Sequence, residues 1–317
     1  MLPVLAGIIC LISGCGSSGG TRMPVTEFQA EAYGGELWKG TLYAEDLCVA
    51  GDDVSLTGYE GDGSLSGAGL FDLDNSRVLY AADIHERIYP ASVTKIMTAL
   101  LVLESGRTDD TFKISSTAAA ASFPADAQVL GLQEGDVWTV QDLLYGLLLY
   151  SGNDCAAALA EYVSGSEEAF VAQMNERAES LMASGTHFTN PHGLHDDEHY
   201  TTVYDLYLIF QSCIKNEKFR EIIQTSSYTA HYTAADGSKQ ETVFQPTNLY
   251  AKGSVELPAN AVILGGKTGT TYEAGYCLIL LEEDASGHPY ISVVMGAGSK
   301  PELYENMTAL IQAIPPV

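Results

Sequence analysis

The sequence predicts an α+β fold in which strands from both ends of a domain build one antiparallel sheet around a mainly helical middle. Three observations predict it. Strand-like apolar runs occupy residues 68–73 and 77–81, and again 276–281 and 290–295, at opposite ends of a 317-residue chain. Between about Ser92 and Cys213 the apolar positions fall in long helix-like stretches. A composition of 46% hydrophobic and 18% charged residues supports a sizeable core and excludes global disorder.

The elements follow in order. Residues 2–12 are an apolar run, too short to span a bilayer as a helix, and they suit the h-region of a secretory signal. No Lys or Arg precedes Arg22, so the true start is expected upstream of Met1. The run ends in Leu11-Ile12-Ser13-Gly14-Cys15, which resembles a bacterial lipobox with Cys15 as the lipidated residue. Two acyl chains there would give stable membrane attachment. Gly16-Ser17-Ser18-Gly19-Gly20 reads as a flexible tether. The expected organisation is thus a lipoprotein-type signal over 1–15, a tether and lead-in segment over 16–65, and a catalytic domain over 66–314.

Within that domain, Asp74-Asn75-Ser76 turns residues 68–73 and 77–81 into a hairpin. A helix is expected from Ser92 to Glu104 after Pro90, apolar nearly all round over 96–103 and therefore buried and central. Further helices are expected over 139–150, with Thr139 capping toward Asp142, and over 154–163, 167–183 and 204–213. After Ser226 the chain becomes strand-like. Ala261–Leu264 leads into Lys267-Thr268-Gly269, two strong strands follow, and a helix over 301–314 closes the domain.

The formal net charge of -26 argues against a nucleic-acid partner and against electrostatic docking on anionic lipid. An acidic surface also keeps a secreted protein soluble. Six cysteines form no CxxC pair and stand at no zinc-ligand spacing. Cys155 and Cys277 lie in apolar runs and read as small buried hydrophobes.

Three short segments carry chemistry: Ser92-Val93-Thr94-Lys95, Ser151-Gly152-Asn153 and Lys267-Thr268-Gly269, about 60 and about 115 residues apart. Ser92 and Lys95, three apart on a helix, share a face. Ser92 at a helix N-terminus has the dipole on the side of an oxyanion. Serine is a poor nucleophile without a base. Lysine serves as one only when burial or a second cation lowers its pKa, and Lys267 could be that cation. Ser151 can relay a proton to a leaving amine, and Asn153 can bond both Lys95 and a substrate amide. Gly269 would leave room for substrate at the strand edge. Thr268 and Thr270 can hold a carboxylate, and the N–H groups of Ser92 and Thr270 would form an oxyanion hole. Alone, each segment has a bland reading: a surface helix pair, a helix cap, a solvated strand-to-turn.

Taken together, with the neighbouring stretches 89–98, 143–154, 186–195, 265–271 and 274–276, the segments resemble those of low-molecular-mass D-alanyl-D-alanine carboxypeptidases, the penicillin-binding serine DD-peptidases. The resemblance covers roughly residues 66–314. It implies a β-lactamase/transpeptidase-like fold with Ser92 as nucleophile and a peptidoglycan stem peptide as substrate. It further implies β-lactam antibiotics as inhibitors and action at the outer face of the bacterial cytoplasmic membrane. No metal or cofactor is implied. The middle segment is Ser-Gly-Asn, unlike the Ser-Asp-Asn common in class A β-lactamases, which favours the carboxypeptidase branch. The family often carries an Arg just after the last strand, where this chain reads Gly298-Ser299-Lys300, and Lys300 is the candidate substitute. The chain stops at Val317, so the β-rich C-terminal domain and amphipathic anchor of some members are not expected, and a lipid on Cys15 would replace the anchor. His187, His192 and His195 are expected to make structural hydrogen bonds, not to bind zinc or form a triad. The rival readings are a serine β-lactamase and a non-catalytic penicillin-binding wall sensor.

Overall fold

Strands from the two ends of the domain do meet in one sheet. In a computed structural model that describes residues 46–315, β1 (Gly67–Asp72) and β2 (Arg77–Ala82) form the expected hairpin. Three later strands complete the sheet: β7 (Ala261–Thr271), β8 (Gly275–Asp284) and β9 (Pro289–Ala297). All pairs are antiparallel, in the order β2-β1-β9-β8-β7. The alternation of the strands gives each face its own core. Phe71, Ile279, Leu281, Ile291 and Val293 face the helical middle. Leu70, Leu278, Leu280 and Val294 pack under the closing helix.

That middle is built on α1 (Lys95–Glu104), whose side chains are nearly all buried, as its apolar run dictates. Around it lie α2 (Val140–Tyr145), α3 (Asn153–Ser164), α4 (Glu167–Ser180), α5 (Val203–Ile214) and α6 (Glu217–Gln224). Helix α7 (Lys300–Gln312) covers the other face, capped by Ser299, with Pro301 in its first turn.

The structure departs from the sequence expectations in four places. Ser92 does not begin an α-helix. Residues Ala91–Thr94 form a tighter 3-10 turn, fixed by Val93 N–H donating to Pro90 O at 3.1 Å and Thr94 Oγ1–H to Ala91 O at 2.8 Å. The helix expected over 139–150 ends at Tyr145 and widens into a π-turn over Gly146–Tyr150, where a Cβ on residue 146 would meet Cys155 Sγ at 2.8 Å. Helix α6 was not anticipated, although Asn216 caps it and Phe219, Ile222 and Ile223 bury one face. A second sheet, β3 (Thr111–Lys113), β4 (Val137–Thr139), β5 (Tyr228–Thr233) and β6 (Lys239–Phe244), includes two three-residue strands too short to have a readable period.

Part of the lead-in segment is packed. Cys48 is fully buried, its N–H donating to Tyr207 OH at 2.8 Å, and Val54 makes an antiparallel bridge to Ala81. The signal-like run, Cys15 and the glycine tether lie outside the described residues.

Candidate active site

The three segments converge. Ser92 lies on the 3-10 turn and Lys95 is the first residue of α1. Ser151 follows the π-turn, and Asn153 opens α3. Lys267, Thr268, Gly269 and Thr270 lie within β7, the edge strand of the large sheet, and not after a short strand as expected. Lys95 Nζ stands 3.0 Å from Ser92 Oγ, 2.7 Å from Asn153 Oδ1 and 2.5 Å from the carbonyl oxygen of His192. Lys267 Nζ stands 2.9 Å from Ser151 Oγ and donates to its neighbour Thr268 O at 2.7 Å.

Both lysines are buried, with 0% and 1% of their surface exposed. Burial, and then the charge of Lys267, holds the Lys95 pKa well below the ordinary lysine value. Burial brings the Lys267 pKa down to about 7. Lys95 is therefore an amine that gives up its proton far more readily than an ordinary lysine. A neutral amine has two N–H bonds and one lone pair. Asn153 Oδ1 and His192 O can accept both protons, which leaves the lone pair facing Ser92 Oγ.

The backbone around these groups is unusual. Ala91 and Ser151 have positive φ values, 47° and 69°, which residues with a Cβ seldom adopt. Such strain is of order 1–3 kcal/mol per residue and persists only where the surroundings enforce it. At Ala91, two glycines let neighbouring backbone press directly on the turn. A Cβ on residue 193 would stand 1.9 Å from Ala91 O, and Gly193 itself has φ +84°. A Cβ on residue 269 would stand 2.9 Å from Pro90 O and 3.1 Å from Ser92 N. Gly269 thus lets β7 lie directly on the nucleophile turn.

Two contributors escaped the sequence reading. The buried Asp154 carboxylate accepts the N–H groups of Leu130, Gly131 and Leu132 at 2.8, 2.8 and 3.0 Å. Asn153 N–H donates to Gln128 O at 2.8 Å, so residues 128–132 are fastened to the Ser-Gly-Asn segment. The Asn190–Leu194 loop is the second, supplying His192 O to Lys95 and Pro191 O to Thr98 Oγ1–H at 2.6 Å. The Asn-Pro-His-Gly run was visible in the sequence, but nothing local signals that a carbonyl there would face a lysine 97 positions away.

The remaining candidates sort as follows. Thr268 Oγ1 lies 2.6 Å from Thr247 Oγ1, and Thr270 Oγ1–H donates to Gly269 O at 2.7 Å. His192 is buried and held neutral by desolvation, with a pKa of about 3, and its Nδ1 accepts Leu194 N–H. His187 Nδ1 pairs with Glu198 O. His195 lies 3.3 Å from Asp197 and 3.9 Å from Glu273. Among the described residues no group of three His, Cys, Asp or Glu side chains is placed to hold a metal ion. Cys155 and Cys277 are buried thiols. Elsewhere, Glu104 pairs with Arg177, and Asp205 accepts from Thr186 Oγ1–H. Lys300 lines a surface cavity with Leu249, Val255, Glu256 and Tyr304, apart from the groups above.

Comparison with known proteins adds a family. Residues 65–299 match the S11 peptidase family, described as D-alanyl-D-alanine carboxypeptidase. D-alanyl-D-alanine carboxypeptidase DacF of Bacillus subtilis is 34% identical over 76% of this chain and 60% of its own length. The D-alanyl-D-alanine carboxypeptidase of Streptomyces sp. strain K15 is 32% identical over 74% of this chain and 81% of its own. The chain therefore spans about 60% of the length of DacF. Among solved structures, the Streptomyces K15 DD-transpeptidase superposes with a TM-score of 0.74 at 29% identity, covering 80% of this chain and 98% of that one. Penicillin-binding protein 6B of Escherichia coli gives 0.69 at 30% identity, covering 82% and 80%.

Proposed function

Because the chain belongs to the D-alanyl-D-alanine carboxypeptidase family, we propose that it is a serine-type D-Ala-D-Ala carboxypeptidase that removes the terminal D-alanine from peptidoglycan stem peptides. The observation that carries this reading is the Lys95 amine, buried and donating to two carbonyl oxygens, with Ser92 Oγ at 3.0 Å.

In this reading Lys95 Nζ takes the Ser92 hydroxyl proton as Oγ attacks the carbonyl carbon of the penultimate D-alanine. The N–H groups of Ser92 and Thr270 receive the oxyanion. Ser151, bonded to Lys267, relays to the departing amine the proton that Lys95 took, so that the C–N bond breaks, D-alanine leaves and Lys95 is again a free amine. Water then attacks the acyl ester while Lys95 takes its proton and returns it to the departing Ser92 Oγ, which restores the serine and frees the shortened peptide. Penicillins acylate Ser92 by the same first step. The substrate lies along the open edge of β7, with Asn153 holding its amide.

Residues 66–314 are the catalytic domain, 16–65 the tether and lead-in, and 1–15 the signal. A diacyl lipid on Cys15 would hold the enzyme at the outer face of the membrane. Labelled palmitate incorporation that is lost in Cys15→Ser supports the anchor, and incorporation that survives the change removes it.

A β-lactamase would need a carboxylate beside the acyl ester. Among the described residues none lies within hydrogen-bond distance of Ser92 Oγ or Lys95 Nζ. The test of the main reading is incubation of the full chain in detergent with a D-Ala-D-Ala-terminated stem peptide, measuring free D-alanine. Release that is blocked by penicillin and absent in Ser92→Ala supports the carboxypeptidase. Penicillin labelling without release would point to a sensor or to transfer onto an amine acceptor, and rapid penicillin turnover to a β-lactamase.

A further inference from the structure

His199 is buried beside the nucleophile turn and takes no part in the proton transfers of Ser92, Lys95 and Ser151. Its backbone is clamped on both sides. His199 N–H donates to Asp196 O at 2.9 Å, Tyr200 bridges to His187, and Thr201 bridges to Ile88 on the segment that leads into Ala91. The ring packs edge-on against Phe188, with centroids 5.6 Å apart.

A buried imidazole costs free energy unless both ring nitrogens are bonded. Here both are. Nδ1 stands 3.0 Å from Thr189 N and 3.2 Å from Thr189 Oγ1, and Nε2 stands 2.8 Å from Thr94 Oγ1. The partners fix the tautomer. A backbone N–H can only donate, so Nδ1 is the acceptor and carries no proton. Burial brings the pKa of the ring down to about 4, so at neutral pH its single proton is on Nε2. Nε2–H therefore donates to Thr94 Oγ1.

Thr94 passes the constraint on. Its hydroxyl has one proton, and with Nε2–H filling an acceptor position that proton goes to Ala91 O at 2.8 Å. In a regular helix Ala91 O would accept the N–H of Lys95. Here Lys95 N–H turns to Ser92 O and Val93 O. The Thr94 hydroxyl thus holds a carbonyl that the helix ladder has let go. Ala91 has φ +47°, a conformation that persists only while its surroundings enforce it.

Ala91 C=O and Ser92 N–H belong to one planar trans peptide group and point in opposite directions. Fixing the carbonyl oxygen therefore fixes the direction of the Ser92 N–H, the oxyanion donor of the proposed reaction. A hydroxyl that accepts one hydrogen bond also donates a stronger one. We infer that His199 is a positioning residue that acts through Thr94 to aim the Ser92 N–H at the oxyanion. The inference rests on the serine acyl-transfer reading for that oxyanion, and not on the fate of the acyl-enzyme. His199 touches no reacting atom.

The test is penicillin acylation of the full chain in detergent, resolved into reversible binding and the acylation rate. His199→Phe keeps the bulk of the ring and removes both nitrogens. It is expected to slow acylation about tenfold or more, short of deleting an oxyanion donor outright, with reversible binding within about threefold. His199→Gln, whose amide N–H can donate to Thr94, should recover most of the rate. Thr94→Val cuts the relay nearer the nucleophile and should be at least as slow, and adding His199→Phe to it should slow it little further. A spectroscopic signature separates this role from mere support of the fold. Hydrogen bonds from an oxyanion hole lower the infrared carbonyl stretch of the acyl-enzyme, so that band should rise in His199→Phe and in Thr94→Val. If His199→Phe does not fold, a parent-like rate in His199→Gln with a raised band in Thr94→Val supports the relay, and an unmoved band overturns it. An unchanged rate and band in the folded variants, or losses that multiply in the double variant, also overturn it. A parent chain that is labelled but releases no D-alanine fails the carboxypeptidase reading alone, and the comparison of variants still decides His199. A parent chain that penicillin does not label overturns both.

Discussion

Lys95 and Lys267 on one side of the large sheet, and Glu282 on the other, are all ionisable groups taken out of water, yet only the lysines sit where burial can do chemistry. Lys267 stands opposite Ile279 on the face toward the helical middle. Glu282 follows Leu278 and Leu280 on the face covered by α7. Burial lowers the lysine pKa values and raises that of Glu282 well above the ordinary carboxyl value, because in each case it disfavours the charged form. The surroundings differ. Lys95 meets three oxygens, one of them a partly exposed serine hydroxyl. Glu282 is fully buried, Oε1 accepting from Ser292 Oγ–H and Oε2 having no partner among the described residues. The same physics makes a base in one place and a carboxyl that resists ionisation in the other. The difference is access to a nucleophile.

Removing the nucleophile gives the largest effect. Ser92→Ala should abolish penicillin labelling and D-alanine release. Lys95→Met should lower acylation at least about a thousandfold, since both the base and the partner of Asn153 are lost. A Lys95→Met enzyme within tenfold of the parent would place the base elsewhere.

The support of the nucleophile comes next. Gly193→Ala forces a Cβ into Ala91 O from a backbone with positive φ. It should cost about 2 kcal/mol or more in denaturant unfolding and at least about tenfold in acylation. An unchanged acylation rate would mean that the Ala91–Ser92 turn does not depend on this contact.

The electrostatic coupling is subtler. Acylation should rise with pH as Lys95 loses its proton, with an acid limb well below the ordinary lysine value of 10.5. Lys267 holds the Lys95 pKa down by repulsion, so Lys267→Met should let it rise and move the acid limb to higher pH, apart from any drop in maximal rate. A pH–rate profile of Ser92 labelling reads this, and an unmoved limb would exclude the coupling.

The smallest effect belongs to Glu282. Its folded pKa is raised, so the folded state binds the extra proton above the ordinary carboxyl value of 4.5. The stability it contributes is present below that pH and is lost as pH rises toward the folded pKa. Glu282→Gln keeps the size without the ionisation. It should leave kcat/KM unchanged and unfold later than the parent, by a margin that widens with pH above 4.5. A margin that stays flat would mean the carboxyl ionises in the folded protein at little cost.

Legibility followed the length of each signal. The hairpin of β1 and β2, the strands β8 and β9, and the apolar run of α1 each have enough consecutive residues to display a period, and each forms where expected. The strands β3 and β4 have three residues each and show none. The 3-10 turn at Ser92 and the π-turn before Ser151 also escaped, since both are tertiary compromises. Glycine and cysteine neighbours packed from other elements hold the chain away from a regular helix there.

By itself, the sequence determined the α+β pattern, the three polar segments and their order, because residue type and period are local properties. Only the tertiary structure decided what those segments meet. It brought His192 O to Lys95, set Gly269 against the nucleophile turn and fastened Gln128 O to Asn153. Each of these is a contact between positions far apart in the chain, settled when the two faces of the sheet bury their apolar side chains together. No local pattern encodes it.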